Sequence, residues 1–296
     1  MKTLNLRGTH TALVTPFNKE AGIDFEKFKD LIEFQIAEGI EGIVVCGSTG
    51  ESATLTHNEK IALITTAVET SNGRIPIIAG TGSNDTQSSL DLSVIAKEHG
   101  ADALLIVTPY YNKPTQEGIY LHFRNIADNV DIPIILYNVP GRTATNVSPE
   151  IQVKLAQDCA NIVATKEASG DLEQMMKIIK HAPKEFLLLS GDDALTLPII
   201  SIGGAGVISV ISNYAPKMFG DLTRLALAGK YSEAKLILYK LLDLMELNFI
   251  ESNPIPAKAA LTIMGKIEEH VRMPLVPITR QSNNLIKKAL KAAKLI

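Results

Sequence analysis

Eight short runs rich in Val, Ile and Leu recur along the first two-thirds of this 296-residue chain, separated by longer amphipathic segments. The runs are His10–Phe17, Gly42–Gly47, Ile75–Gly82, Ala103–Tyr110, Pro133–Pro140, Asn161–Ala168, Phe186–Asp193 and Gly206–Asn213. Each is almost continuously apolar and bounded by Gly, Pro or polar residues, as strands buried on both faces should be. Among the intervening segments, Asp24–Gly39 sets Phe25, Phe28, Leu31, Ile32 and Ile36 on one helical face. Asp85 and Ser148 stand where N-caps are expected, Pro149 at a first helical position, and Gly39, Gly73 and Gly100 where helices stop. Parallel neighbours need helical crossovers, so eight strand–helix units predict a parallel sheet. Eight units in roughly 220 residues fit an α/β fold of the closed (β/α)8 type, a TIM barrel. An open doubly wound sheet is the alternative, weakened because no strand is followed by a G-x-G-x-x-G turn. The barrel is expected over residues 1–225, with a C-terminal helical extension packed on it over 226–296. No linker or charge block marks a second independent domain.

Composition narrows the class. A net charge of −3 gives no reason to expect a nucleic-acid or other polyanionic partner. No basic leader precedes an apolar run, and no stretch of about 18 apolar residues reads as a membrane span. Cys46 and Cys159 lie far apart in apolar or amphipathic surroundings, outside any C-x-x-C pattern, and are expected as buried free thiols of a cytoplasmic protein.

Chemistry in such a barrel gathers at the C-terminal ends of the strands. Those ends carry Thr15, Gly47-Ser48-Thr49-Gly50-Glu51, Gly80-Thr81-Gly82, Pro109-Tyr110-Tyr111, Tyr137-Asn138, Lys166-Glu167, Ser190-Gly191-Asp192-Asp193 and Ser209. Lys166 closes the sixth run. Desolvation at the barrel mouth disfavours an ammonium and leaves an amine able to attack a carbonyl carbon. Two other roles stay open from the residue alone: a stem lying along the surface, or an ion pair with Glu167. The Gly47–Glu51 turn offers hydroxyls and backbone N–H groups to a carboxylate, or is a plain strand-to-helix turn. Tyr110, Tyr111 and Tyr137, three of seven tyrosines, can shuttle protons or simply pack. Arg142 can clamp a carboxylate in bidentate fashion or be solvated. Asp192-Asp193 lacks a third metal ligand at loop spacing, and Asp193 reads as the N-cap of the following helix. The six histidines show no ligand spacing, so no metal is expected.

Taken in order, these motifs resemble the 4-hydroxy-tetrahydrodipicolinate synthase (dihydrodipicolinate synthase) family over essentially the whole chain. The segments that carry the likeness are Gly47-Ser48-Thr49-Gly50-Glu51-Ser52-Ala53-Thr54-Leu55, Ala79-Gly80-Thr81-Gly82-Ser83-Asn84 and Thr108-Pro109-Tyr110-Tyr111-Asn112-Lys113-Pro114. Leu136-Tyr137-Asn138-Val139-Pro140-Gly141-Arg142-Thr143, Lys166-Glu167-Ala168-Ser169-Gly170 and Leu189-Ser190-Gly191-Asp192-Asp193 add to it, with Gly206-Val207-Ile208-Ser209-Val210 and Asn253-Pro254-Ile255-Pro256. The resemblance implies a Schiff-base lyase that condenses pyruvate with L-aspartate 4-semialdehyde on the diaminopimelate route to lysine, with no metal or organic cofactor. It implies Lys166 as nucleophile, Tyr137 as proton carrier, and Ser48 with Tyr111 completing a relay, Tyr111 reaching in from a neighbouring subunit of a homotetramer (a dimer of dimers). Thr49 with Ser48 would hold the pyruvate carboxylate, Ile208 would line the pyruvate through its backbone, Gly191 would border the substrate, and Arg142 would receive the carboxylate of the semialdehyde.

Two departures from the family pattern stand out. Ser48 replaces the threonine of many synthases and also matches sialic-acid lyases, so it does not separate those activities. N-Acetylneuraminate lyase and 2-keto-3-deoxy-sugar-acid aldolase are therefore the alternative enzymes, and a non-catalytic pyruvate-binding sensor is the alternative of another class. Tyr111 and Arg142 favour the synthase. The positions that match the lysine-binding site of inhibited members are Ala53, His57, Lys60, Asn84, Ser88 and Tyr110. Lys60 and Ser88 stand where sensitive members commonly carry histidine and glutamate, which predicts weak or absent feedback by lysine.

Overall fold

A computed structural model describes residues 4–296. Eight strands form one closed parallel barrel in sequence order: β1 (Gly8–Ala12), β2 (Gly42–Val45), β3 (Ile77–Gly80), β4 (Ala103–Val107), β5 (Ile134–Asn138), β6 (Ile162–Glu167), β7 (Leu187–Ser190) and β8 (Gly206–Ser209). The helices are α1 (Phe25–Ala37), α2 (His57–Ser71), α3 (Thr86–Glu98), α4 (Gln116–Asn129), a single turn α5 (Pro140–Thr143), α6 (Pro149–Asp158), α7 (Leu172–His181), α8 (Thr196–Ser201), α9 (Pro216–Leu227), α10 (Tyr231–Leu247), α11 (Ile255–Ile263) and α12 (Arg280–Ala292). Pairing of Thr9 with Val207 and His10 with Ile208 closes β1 onto β8 and rules out the open sheet.

Most strands are largely apolar because both of their faces are covered; β1, Gly-Thr-His-Thr-Ala, is the polar exception. Ala103, Leu105, Ile135, Ala164, Leu189 and Ile208 fill the barrel interior. The alternate residues Leu104, Ile106, Ile134, Leu136 and Val207 pack outward against the helices. Two-residue periodicity therefore fixes which side chains reach the mouth. Tyr137 follows Ile135 in phase and Lys166 follows Ala164, so both point inward; Asn138 and Glu167 fall in the outward phase. The β5·β6 ladder contains an irregularity that the sequence does not announce. Ile134 pairs with Ile162 but Ile135 pairs with Ala164, so Val163 is an extra residue on β6. Beyond it the register runs Tyr137 opposite Lys166 and Asn138 opposite Glu167. Such a bulge shifts everything downstream by one position.

Helix ends follow local chemistry. Asp85 accepts from the Ser88 amide and Ser148 from the Ile151 amide, as read from the sequence. Pro149 opens α6, and Gly39, Gly73 and Gly100 take positive φ just past α1, α2 and α3. Asp193 is a correction. The residue at the N-cap of α8 is Leu195, with no side-chain cap, whereas the Asp193 carboxylate accepts the Val210 and Ile211 amides beyond β8. Burial pushes that carboxyl up to about 6. Both cysteines are free and buried, and no helix of the described residues is long and apolar enough to cross a membrane.

The segment after α9, which itself ends at Leu227, folds back on the barrel mouth. Lys258 on α11 is buried and donates to Glu51 (2.5 Å) and to the His270 carbonyl (2.8 Å). Burial pulls its amine down to about 8 against the attraction of Glu51. Arg272 donates from its backbone to Glu51, and its guanidinium bonds the Ala21 and Thr54 carbonyls and both oxygens of Glu59. Lys258 and Arg272 both sit over the Phe17 ring, 4.3 and 4.4 Å from its centroid. Removing one partner of a buried ion pair such as Glu51–Lys258 costs about 3–5 kcal/mol.

Hydrogen bonds from Arg272, aided by Thr56, hold the Glu59 carboxyl down to about 2, against an ordinary 4.5. A depressed carboxylate stabilises the fold above its unfolded value and loses that contribution as pH falls towards its folded value. The gap in urea midpoint between wild type and Glu59→Gln should therefore narrow as pH is lowered from about 5 to about 3. A gap constant across that window would show that the Arg272–Glu59 contact carries no such linkage.

Candidate active site

A cavity of about 140 Å³ opens at the C-terminal ends of the strands, small beside the roughly 300–1,000 Å³ of drug-sized pockets. A larger groove lies between α6 and α7 on the outer surface, away from the mouth, and lacks the convergence of groups described next.

Lys166 is 5% exposed and projects from β6 into the mouth. Its Nζ sits 4.2 Å above the centroid of the Tyr137 ring, which is buried on the neighbouring strand. Glu167 is not its ion-pair partner: that carboxylate points the other way, into a ring of amide side chains. Lys166 and Tyr137 are thus a cross-strand pair at one level of the barrel.

On the opposite wall, β2 delivers Gly47, Ser48 and Thr49. The turn folds on itself, the Gly50 and Ser52 amides donating to the Gly47 carbonyl and the Glu51 amide to the Ser48 carbonyl. Thr15 donates to the Gly50 carbonyl and tethers the turn to the segment that follows β1. Glu51 takes a left-handed φ of 56°, a conformation a non-glycine residue adopts at a cost unless held, and Lys258 with Arg272 supplies the hold. Thr49 is buried and its Oγ1 accepts from Asn253 Nδ2 (3.0 Å), while Ser48 is half-buried at the cavity wall.

Arg142 lies on α5, exposed at the rim. Gly191 lines the cavity after β7 and donates to the Glu167 carbonyl (2.8 Å). A Cβ at Gly191 would come within 2.5 Å of the Ala168 Cβ, so only glycine fits this approach of two strand ends. Ile208 is buried on β8 with its side chain in the barrel interior, and Val210, two residues on, reaches the cavity. Asp192 also lines the cavity, but the described residues hold no group of three or more His, Cys, Asp or Glu placed to bind a metal.

Tyr110 and Tyr111 are not brought to this cavity within one chain. They lie in the segment after β4, 39% and 89% exposed. Tyr111 has a left-handed φ of 71° and Lys113 one of 46°, and Asn112 anchors the segment by donating to the Asn84 carbonyl. A tyrosine held at positive φ with its ring in solvent is a strained conformation without a local reward.

Sequence reasoning missed two contributors and underused a third. Phe249 and Asn253, from the segment after α10, line the cavity. Asn253 stood in a recognised Asn-Pro-Ile-Pro motif, but its bond to Thr49 spans 204 residues. Lys258, on an alanine-rich helix, carries no local mark of burial; only Glu51, 207 residues away, explains it.

The sequence model of the dihydrodipicolinate synthetase family matches residues 5–293. The 4-hydroxy-tetrahydrodipicolinate synthase of Bacillus subtilis is 49% identical over 276 residues, covering 93% of this chain and 95% of the relative. The crystal structure of dihydrodipicolinate synthase from Aquifex aeolicus superposes with a TM-score of 0.96 at 45% identity, covering 98% of this chain and 99% of that one. The chloride-inhibited synthase of Acinetobacter baumannii, solved with pyruvate, gives 0.97 at 42% identity, covering 99% and 100%. A closed barrel with a lysine and a tyrosine paired across β5 and β6, matched in sequence and shape from end to end, places this chain in the dihydrodipicolinate synthetase family.

Proposed function

We propose that this chain is a Schiff-base lyase that condenses pyruvate with L-aspartate 4-semialdehyde to 4-hydroxy-tetrahydrodipicolinate, the entry to lysine and diaminopimelate biosynthesis. The observation that carries the reading is the Lys166 amine, buried over Tyr137 in a small cavity whose far wall presents the Ser48 and Thr49 hydroxyls and whose rim presents Arg142. Lys166 attacks the keto carbon of pyruvate, and loss of water gives an iminium. The iminium acts as electron sink, so the methyl group yields a proton to become an enamine carbon. That carbon attacks the aldehyde of the second substrate, and the new alkoxide takes up a proton. The amine of the semialdehyde then adds to the iminium carbon, closing the ring and releasing Lys166.

In this scheme Tyr137 carries protons beside Lys166, and Ser48 and Tyr111 extend the relay. Thr49 with Ser48 receives the pyruvate carboxylate, Ile208 and Gly191 shape the same subsite through the backbone, and Arg142 clamps the carboxylate of the semialdehyde. No metal or organic cofactor enters the scheme. The free, buried cysteines suit the reducing cytoplasm.

Tyr111 acts from a partner subunit in this proposal, within a homotetramer built as a dimer of dimers. Its high exposure and left-handed backbone support a residue shaped for a neighbour's site.

Borohydride reduction with pyruvate should leave an adduct of about 70 Da on Lys166 by peptide mass mapping. Lys166→Ala should abolish adduct and turnover with an unchanged circular dichroism spectrum; turnover in that variant would refute the nucleophile. Coupled assays with aspartate semialdehyde and with N-acetylneuraminate separate the synthase from the sialic-acid lyase. An unreactive pyruvate binder would give no adduct at all.

Tyr111→Phe should slow turnover by roughly ten- to a thousandfold. Mixing that variant with Lys166→Ala protomers should restore part of the activity after subunit exchange, because each hybrid pair then holds one complete site. No recovery, or a fully active monomer in sedimentation, would reject action across subunits.

Feedback by lysine is expected to be weak or absent. Burial pulls the half-buried Lys60 amine below its ordinary range, and Ser88, exposed at the start of α3, offers no carboxylate to a ligand ammonium. Steady-state rates should stay flat through micromolar lysine; half-inhibition in that range would contradict the substitution argument.

A further inference from the structure

Glu167 is 0% exposed, immediately follows Lys166, and takes no part in the scheme above. Its carboxylate accepts from Asn138 Nδ2 (3.0 Å to each oxygen), Gln152 Nε2 (2.9 Å), Gln174 Nε2 (3.1 Å) and the Ser169 amide (2.9 Å). All of these donors are neutral. A second tier closes the ring: Asn138 donates to Asn146 (2.8 Å), Asn146 donates to Gln174 (2.9 Å), and the Val147 amide donates to Asn138 (3.1 Å). One carboxylate thus gathers the tips of β5 and β6, helices α6 and α7, and the segment that follows Arg142.

Burying a carboxylate without a cation is costly, and the cost is met only while every donor is in place. A structural packing role would be served as well by an apolar residue, so the charge calls for another explanation. Its place in the ladder supplies one. Asn138 and Glu167 pair one row beyond Tyr137 and Lys166 on the same two strands. The bulge at Val163 puts β6 in this phase, and a slip of one residue would carry Glu167 into the mouth and Lys166 out of it. A carboxylate that can be satisfied only among these amides penalises that slip.

We infer that Glu167 is a positioning residue: its amide cage locks β5 and β6 in the register that holds Lys166 over Tyr137 and ties the Arg142 segment to the same point. The inference rests on the lysine chemistry proposed above. In the Glu167→Gln variant an amide nitrogen faces Asn138 and Gln174, whose own oxygens are already engaged by Val147 and Asn146. Only the Gln152 Oε1 is unpartnered, so the cage closes only if Gln152 turns over and gives up its own bonds from Nε2.

The test compares wild type, Glu167→Gln and the double variant Gln152→Met/Gln174→Met, which strips two donors and leaves the Asn138 link. Each is assayed well below its own melting temperature. Glu167→Gln should lower kcat and the rate of borohydride-trappable iminium formation together by about ten- to a hundredfold, the scale set by displacement of a reacting group. KM for pyruvate, governed by the separately anchored Ser48–Thr49 turn, should move less than about twofold. The double variant should show the same split with a smaller loss, and it stands in if Glu167→Gln fails to fold. A lowered melting temperature with unchanged kcat and trapping rate would overturn the inference, as would a loss confined to KM. Absence of any adduct on the wild-type protein would instead overturn the lysine chemistry on which the inference rests.

Discussion

The register between β5 and β6 is the constraint on which the site depends. Two neighbouring strands, paired with Val163 as an extra residue, decide that Lys166 and Tyr137 face the same cavity at the same height. In the proposed chemistry the nucleophile needs its proton carrier within reach throughout, and neighbouring strands lie only about 4.7–4.9 Å apart, so side chains on one face meet without any loop to position them. Strands also move less than loops, so the pair is organised before substrate arrives. The alternate row, Asn138 with Glu167, anchors the same strands from the helix side. One ladder therefore carries the proposed reactive groups on one face and the Asn138–Glu167 bonds on the other.

The opposite wall of the cavity is built on a different principle. The Ser48–Thr49 turn is short and contains a non-glycine residue at positive φ, a conformation that persists only when its surroundings over-determine it. The surroundings come from the far end of the chain: Asn253 on Thr49, Lys258 and Arg272 on Glu51. The helices beyond α9 are thus joined to the barrel by buried charge at the very turn that presents the hydroxyls. A barrel cut from them would uncover Phe17 and leave Glu51 without its cation. Extension and barrel share one site, even though the sequence reads as a barrel followed by an appendage.

That contrast marks what the sequence could and could not disclose. Seven of the eight strands are legible because burial on both faces writes itself as largely apolar runs, and caps at Asp85 and Ser148 because they act within three residues. The first run was misplaced towards its C-terminal side, since β1 spans Gly8–Ala12 while Leu13–Phe17 is apolar for another reason. Phe17 is buried as the platform under Lys258 and Arg272. Asp193 looked like the cap of the next helix but serves the turn after β8, a partner chosen by barrel closure rather than by chain proximity. The bulge at Val163 has no compositional mark at all. Lys166 stood out by its position; what holds it in place did not.

Within the proposed relay, the Tyr111 segment is the one part left unsupported within the chain. Lys166, Tyr137 and Thr49 are buried and each is tied to a strand or a bonded turn, whereas Tyr111 stands in solvent at positive φ. Evolutionary thrift does not explain a strained exposed aromatic, because a tyrosine in an ordinary conformation would cost less and solvate as well. A surface that accepts the ring would repay the strain by burying it. In the proposed relay, subunit contact is then a condition for a complete proton path, and the proposal ties catalytic competence to assembly through a single side chain.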